Sequence, residues 1–261
     1  MSSSHSIVVD QVTHRYRPPN RDPVLAIQDV SLEVRDKEFL ALLGPSGCGK
    51  STLLYMIGGF IPVEEGTIRL GDKRITEPGR ERGVVFQHFA LFPWKTVKQN
   101  VMYGLDKMNL PKVEKEARSQ AMIDLVQLTG FEASFPSALS GGMKQRAAIA
   151  RTLVVEPDVL LMDEPFGALD AQTRTLMQEE LRQIVKRSPK TVVFVTHDVH
   201  EAVLLADRVA VMTARPGRIK TIVDMPPERS VDFNRTPEFH EMVDHLWDLV
   251  KGEASAAVRA A

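Results

Sequence analysis

The sequence predicts an α/β fold: a parallel sheet covered by helices, an antiparallel β part, and a helical insertion. Three observations predict it. The short runs Phe39 to Leu43, Val84 to Phe86, Val159 to Met162, Val192 to Val195 and Val209 to Met212 are apolar without alternation, which suits strands buried on both faces. Val30, Leu32 and Val34 alternate with Ser31 and Glu33, and Ile68 and Leu70 lie between Gly66 and Gly71, the period-two pattern of half-buried antiparallel strands. From about residue 88 to 156 there are helical patterns and no strand run.

Individual helices are legible too. Thr52 to Ile57 is a helical run after the first unalternated strand. Ala117, Ala121, Leu125 and Leu128 form a stripe ahead of Gly130, which stands where a C-terminal cap belongs. Met177, Leu181, Ile184 and Val185 share a face in a segment opened by Asp170 as cap and closed before Pro189. Val199, Ala202, Val203 and Ala206 make another stripe, and Ala254 to Ala261 reads as a frayed ending.

A chain of 261 residues, 43% hydrophobic, buries about 70% of its unfolded surface, so it can form a large core and is neither disordered nor a disulfide-stapled miniature. A formal charge of −1 offers no whole-chain attraction to a polyanion, and nucleic acid is not expected as a partner. The single cysteine, Cys48, excludes an internal disulfide and suits a reducing compartment. Apolar runs of four or five residues are far short of the roughly 20 that span a bilayer, and Met1 to Ser6 lacks the pattern of a secretion signal.

Chemistry concentrates after the unalternated strands. Gly44-Pro45-Ser46-Gly47-Cys48-Gly49-Lys50-Ser51 fits G-x-x-x-x-G-K-[ST] between a strand and a helix. Its glycines let backbone N–H groups converge on phosphate oxygens, the helix start adds its positive end, Lys50 neutralises β/γ charge, and Ser51 offers a hydroxyl to Mg²⁺. Asp163 and Glu164 end another apolar strand. They are either a solvated acidic turn or, given a phosphate loop, a Mg²⁺ ligand and a residue that orients or deprotonates water. Two further strands end in Gln87 and His197, each alone an ordinary turn residue. Ligands of open parallel sheets bind beyond the carboxyl ends of the strands, where all of these residues fall. Leu139-Ser140-Gly141-Gly142-Met143-Lys144-Gln145-Arg146 starts a helix that Ser140 can cap, with Gly141 and Gly142 baring its first N–H groups.

Gly44 to Ser51, Gln87, Leu139 to Gln145, Asp163-Glu164, Ala168-Leu169-Asp170 and His197 resemble, in order and spacing, the Walker A, Q-loop, signature, Walker B, D-loop and H-loop of ATP-binding cassette (ABC) transporter ATPases. The resemblance covers roughly residues 7 to 225. It implies a P-loop NTPase (RecA-like) core with an antiparallel β-subdomain at 1–87 and 157–225, an inserted α-helical subdomain at 88–156, and a helical tail at 226–261. It implies ATP and Mg²⁺ as ligands, with Gly44 to Thr52 around the phosphates, Tyr16 stacked on adenine, and Ser51, Gln87 and Asp163 at the metal. Glu164, His197 and Gln87 would be catalytic. Two copies would join head to tail, Ser140, Gly141 and Gly142 of one closing over ATP held by the other and Asp170 linking the sites. Met143 departs from the more usual glutamine.

Glu164 to Asp170 resembles bacterial importer cassettes, and Pro78 to Gln87, Leu91-Phe92-Pro93-Trp94 and Asn100-Val101 are similar to the nitrate/sulfonate/taurine importer branch. That branch implies a permease as partner, Phe92 and Trp94 as contact candidates beside plain packing, a periplasmic solute-binding protein acting indirectly, and a peripheral place on the cytoplasmic face of the inner membrane. About 36 residues after 225 are too few for the β-rich regulatory domain of many sugar importers. The alternatives are another small-solute ABC importer, or a non-transport ABC ATPase of translation or DNA repair. A phosphate-loop kinase would have no need for Ser140 to Gly142.

Overall fold

The unalternated apolar runs fold as strands. The computed structural model describes residues 5–19, 22–167, 169–187, 189–227 and 232–259, with the side chains of the last helix described to Glu253. The elements in chain order are β1 (Ile7–Tyr16), β2 (Val24–Val34), β3 (Phe39–Leu43), α1 (Lys50–Ile57), β4 (Glu65–Leu70), β5 (Lys73–Arg74), β6 (Arg82–Val85), α2 (Val97–Asp106), α3 (Lys112–Leu125), α4 (Gly141–Leu153), β7 (Val159–Asp163), α5 (Ala171–Arg187), β8 (Thr191–Thr196), α6 (Val199–Leu205), β9 (Arg208–Met212), β10 (Ile219–Asp224) and α7 (Pro237–Arg259). They cluster into two units, residues 1–79 with 190–261, and residues 80–189.

In the first unit an antiparallel sheet runs β2-β1-β4-β5, and the strands β10-β9-β3-β8 form a second run. There β3 is parallel to both β8 and β9, while β10 pairs antiparallel to β9. Leu40, Leu42, Leu43, Val193, Val195, Val209 and Val211 are fully buried, which is why these strands carry no polar alternation. On β2, Val30, Leu32 and Val34 are buried and Ser31 and Glu33 exposed, the expected one-sided pattern. Helix α6 buries Val199, Ala202 and Val203, with Ala206 just beyond it, as its stripe predicts.

The second unit pairs β6 with β7 in parallel and packs α2, α3 and α4 together over Val101, Leu105, Ile123, Leu128 and Ile149. Thr96 caps α2 in a reciprocal capping box with Gln99. Ser140 caps α4 by accepting from the Met143 N–H at 3.3 Å. Asp170 precedes α5 and accepts from the Thr173 N–H and hydroxyl at 3.0 and 2.7 Å. Helix α5 buries Met177, Leu181 and Ile184, with Val185 half-buried.

Some local expectations need correction. Helix α3 stops at Leu125, well before Gly130, and only part of its predicted stripe is buried: Leu128 is buried and Leu125 half-buried, but Ala117 and Ala121 are exposed while Ser119 and Ile123 are buried. The helix ends because Gln127 (φ 55) takes the left-handed position usually given to glycine, with Gln127 N–H on Asp124 O and Leu128 N–H on Ile123 O. Helix α7 runs through Arg259 rather than fraying from Ala254; Ala260 and Ala261 lie outside the described residues. Strand β1 escaped the sequence reading because Gln11 (φ 49) bulges and breaks its alternation.

The amino ends of β3 and β9 are tied by ionic contacts. Arg208 Nη1 lies 3.0 Å from Glu38 Oε1, the two side chains being 12% and 5% exposed, and Glu38 Oε2 accepts the Arg35 N–H at 2.6 Å. Removing the cation leaves a desolvated carboxylate. Arg208→Ala should therefore lower the unfolding free energy by about 3 kcal/mol in urea titration, and a loss under about 0.5 kcal/mol would contradict this reading.

Candidate functional site

In the first unit, β3 and β8 end side by side. Leu43 pairs with Thr196, so the chain leaves one strand into Gly44 to Ser51 and the other into His197 at the same edge. The loop is held tightly against its neighbours. A Cβ at Gly49 (φ 106) would lie 2.5 Å from Ile27 Cγ2 and 3.0 Å from Ala26 O, and a Cβ at Gly217 would lie 2.0 Å from Cys48 O. Larger residues do not fit at either point.

Lys50 is buried and its ammonium donates to Gly44 O at 2.8 Å and Pro45 O at 3.0 Å, so the charge is hydrogen-bonded rather than stranded. Helix α1 opens on Gly49 with no side-chain cap and no acidic residue in its first turn. Its positive end is therefore not neutralised by its own sequence, and it fits a phosphate group. Tyr16, 44% exposed at the end of β1, places its hydroxyl 3.1 Å from Thr52 Oγ1 and meets the His14 ring edge-on at 4.8 Å. That contact ties an exposed aromatic to the first turn of the phosphate-loop helix. Cys48 is buried, and burial raises its thiol pKa more than Lys50 and Arg215 lower it, which keeps the sulfur protonated and poorly nucleophilic.

His197 stands exposed at a corner built by buried polar groups. Thr196 Oγ1 donates to Glu201 Oε2 at 2.7 Å and accepts the Asp198 N–H at 3.0 Å, while Asp198 caps α6 through the His200 and Glu201 N–H groups. The histidine is thus carried on a rigid turn.

In the second unit, Val85 pairs with Met162, so Gln87 and Glu164 each follow two residues after a paired position. Gln87 Nε2 lies 3.5 Å from Glu164 Oε2. The adjacent carboxylates differ sharply: Asp163 ends the strand at 2% exposure, while Glu164 is half-buried with a left-handed backbone (φ 41). A non-glycine residue there costs of order 1 kcal/mol and turns up at functional sites, here aiming the carboxylate away from the strand. Ser140 and Gly141 are exposed at the start of α4, whereas Gly142 is buried with Thr173 against it. Asp170 spends its side chain on Thr173, whose donors hold its pKa below the ordinary carboxylate value; Ala168 lies outside the described residues.

Beyond Gln87, the Phe92 and Trp94 rings meet at 5.7 Å but differ in exposure. Phe92 is half-buried, 4.5 Å from the Tyr103 ring with Arg151 over its face, whereas Trp94 is 70% exposed. Buried Asn100 sets their loop, accepting the Phe92 N–H and donating to Phe92 O, Lys95 O and Thr96 O. Sequence reading missed the turn Arg215-Pro216-Gly217-Arg218, whose signal was its Pro-Gly pair after the strand Val209 to Met212.

The profile of the ABC transporter family matches residues 27–167. The chain is 43% identical over 251 residues to a taurine import ATP-binding protein of Roseobacter denitrificans, spanning 92% of this chain and 94% of that one. It is 43% identical over 248 residues to a nitrate import ATP-binding protein of Synechocystis sp., spanning 92% and 93%. A solved dimeric ATP-binding cassette in a post-hydrolysis state, bound to ADP and Pi, superposes with a TM-score of 0.75 at 29% identity over 85% of this chain and 100% of that one. With the phosphate loop, the capped Ser140-Gly141-Gly142 start and the Asp163-Glu164 strand end in place, the chain belongs to the ABC transporter family as one of its ATP-hydrolysing cassettes.

Proposed function

We propose that the protein is the energy-coupling subunit of a bacterial importer for a small anion, with taurine or another aliphatic sulfonate ahead of nitrate as cargo. The import half of this reading rests on likeness to taurine and nitrate import ATP-binding proteins over nearly the whole chain. The observation that carries the hydrolytic half is Glu164, left-handed after a buried Asp163 and beside Gln87.

In this reading the N–H groups of Gly44 to Thr52 and the Lys50 ammonium receive the phosphates, and Tyr16 stacks on adenine. Ser51 and Asp163 would hold Mg²⁺, with Gln87 beside it, and the ion would supply positive charge to the phosphates. Glu164 takes the proton of the attacking water and His197 steadies the γ-phosphate. A second copy joins head to tail and brings Ser140, Gly141 and Gly142 to the bound ATP, with Asp170 linking the two sites. Among the described residues no helix is long and apolar enough to cross a membrane, so coupling needs transmembrane permease subunits. Exposed Trp94 faces them from the cytoplasmic side, and a periplasmic solute-binding protein acts through them. Binding of two ATP molecules closes the cassette pair and hydrolysis reopens it.

Glu164→Gln should retain MgATP binding, lose about 100-fold or more in turnover, and accumulate an ATP-bound dimer in gel filtration; wild-type turnover would remove Glu164 from the role. Lys50→Ala should instead abolish binding by titration calorimetry. Purified from membranes, the wild-type protein should bring a multi-spanning protein with it, and ribosome or DNA association would favour a non-transport ATPase.

A further inference from the structure

The β9–β10 turn is closed on itself and fastened on three sides. Thr213 N–H donates to Arg218 O at 2.9 Å, Thr213 Oγ1 to Pro216 O at 3.0 Å, and Arg218 N–H to Thr213 Oγ1 at 3.0 Å. Towards β2, Gly217 N–H donates to Ala26 O at 2.9 Å and Gln28 N–H to Gly217 O at 3.0 Å. Towards the phosphate loop, Arg215 donates from Nε and Nη2 to Gly47 O at 3.3 and 3.2 Å. Towards the C-terminal helix, Ala214 N–H donates to Glu253 Oε2 at 3.1 Å, and Lys220, 2.8 Å from Glu253 Oε1, also donates to Leu249 O.

We propose that Arg215 is a positioning residue for nucleotide binding and that Glu253 of the C-terminal helix sets it, so that α7 tunes MgATP affinity through Ala214, Arg215 and Gly47. The Gly47 carbonyl and the Cys48 N–H belong to one planar peptide, so fixing the carbonyl fixes the plane. Gly47 (φ 74) has no Cβ and is a point where the loop turns most easily. Two charge-assisted bonds from a rigid guanidinium fork hold it. Arg215 is itself exposed and would otherwise sample many rotamers. Its backbone is anchored one residue away by Glu253, which is 18% exposed and paired with Lys220. The guanidinium also adds positive charge beside a phosphate-binding loop. Because Arg215 touches the loop's backbone, its effect falls on binding rather than on the chemical step.

The inference rests on the phosphate-loop reading above, and MgATP calorimetry with steady-state turnover separates the two. Arg215→Ala should raise the MgATP Kd about tenfold with kcat at saturation within about twofold, and Arg215→Lys, a point charge without the fork, should recover only part of the loss. Glu253→Ala should raise Kd about threefold, Glu253→Gln, which keeps an acceptor for Ala214, should stay near wild type, and the Arg215→Ala/Glu253→Ala pair should bind no worse than Arg215→Ala alone. The two Arg215 single variants should unfold within about 2 °C of wild type, the change being at the surface. A Kd for Arg215→Ala within twofold of wild type, or losses that multiply in the double variant, would overturn the proposal alone. Failure of the wild-type protein to bind MgATP would overturn the phosphate-loop reading and this inference with it.

Discussion

The phosphate loop is wedged where only backbone fits, and the rest of the first unit is arranged around that constraint. Gly49 lies against Ala26 and Ile27 on β2, and Gly217, itself hydrogen-bonded to β2, against the Cys48 carbonyl. Such packing leaves the loop little freedom to collapse, so the N–H groups at the start of α1 are organised before any ligand arrives. Preorganisation of this kind moves the entropy cost of ordering the loop from binding to folding. It also explains why the β9–β10 turn is so heavily hydrogen-bonded: it is one wall of the cradle.

Several buried polar groups are satisfied by partners close to them in the chain. Lys50 rests on two carbonyls of its own loop, Glu201 on Thr196, and Asn100 on the backbone of the loop it braces. Each pairing removes the penalty of an unsatisfied buried group and fixes a turn that carries an exposed side chain, respectively the phosphate loop, His197 and Trp94. Glu164 is the contrast. Its backbone is held in an unfavourable conformation directly after a fully buried strand that ends in Asp163, where a relaxed turn would cost less.

Much of this was legible because it is local. The apolar runs, the G-x-x-x-x-G-K-S loop, and the caps Ser140 and Asp170 depend on neighbours within a few residues, where period and side-chain chemistry decide. The end of α3 was misread because a glutamine, not Gly130, occupies the left-handed position, and β1 was missed because one bulged residue spoils its alternation. Arg215 and Gly217 were invisible for a different reason. Their partners, Gly47 and Cys48, lie far upstream in the chain and come close only through the β3–β9 pairing, which no window of sequence contains. Phe92 and Trp94 look alike as sequence, and their difference in exposure is set only once Asn100 fixes their loop.

The wedge itself is the claim most open to direct measurement. Gly217→Ala places a methyl group on the Cys48 carbonyl, where 2.0 Å is available, while every residue assigned a role with the nucleotide keeps its identity. If the cradle is held by backbone contact, MgATP affinity measured by titration calorimetry should fall by about tenfold or more while far-UV circular dichroism stays unchanged. An affinity within twofold of wild type would show that the wall does not shape the phosphate loop and would contradict the account.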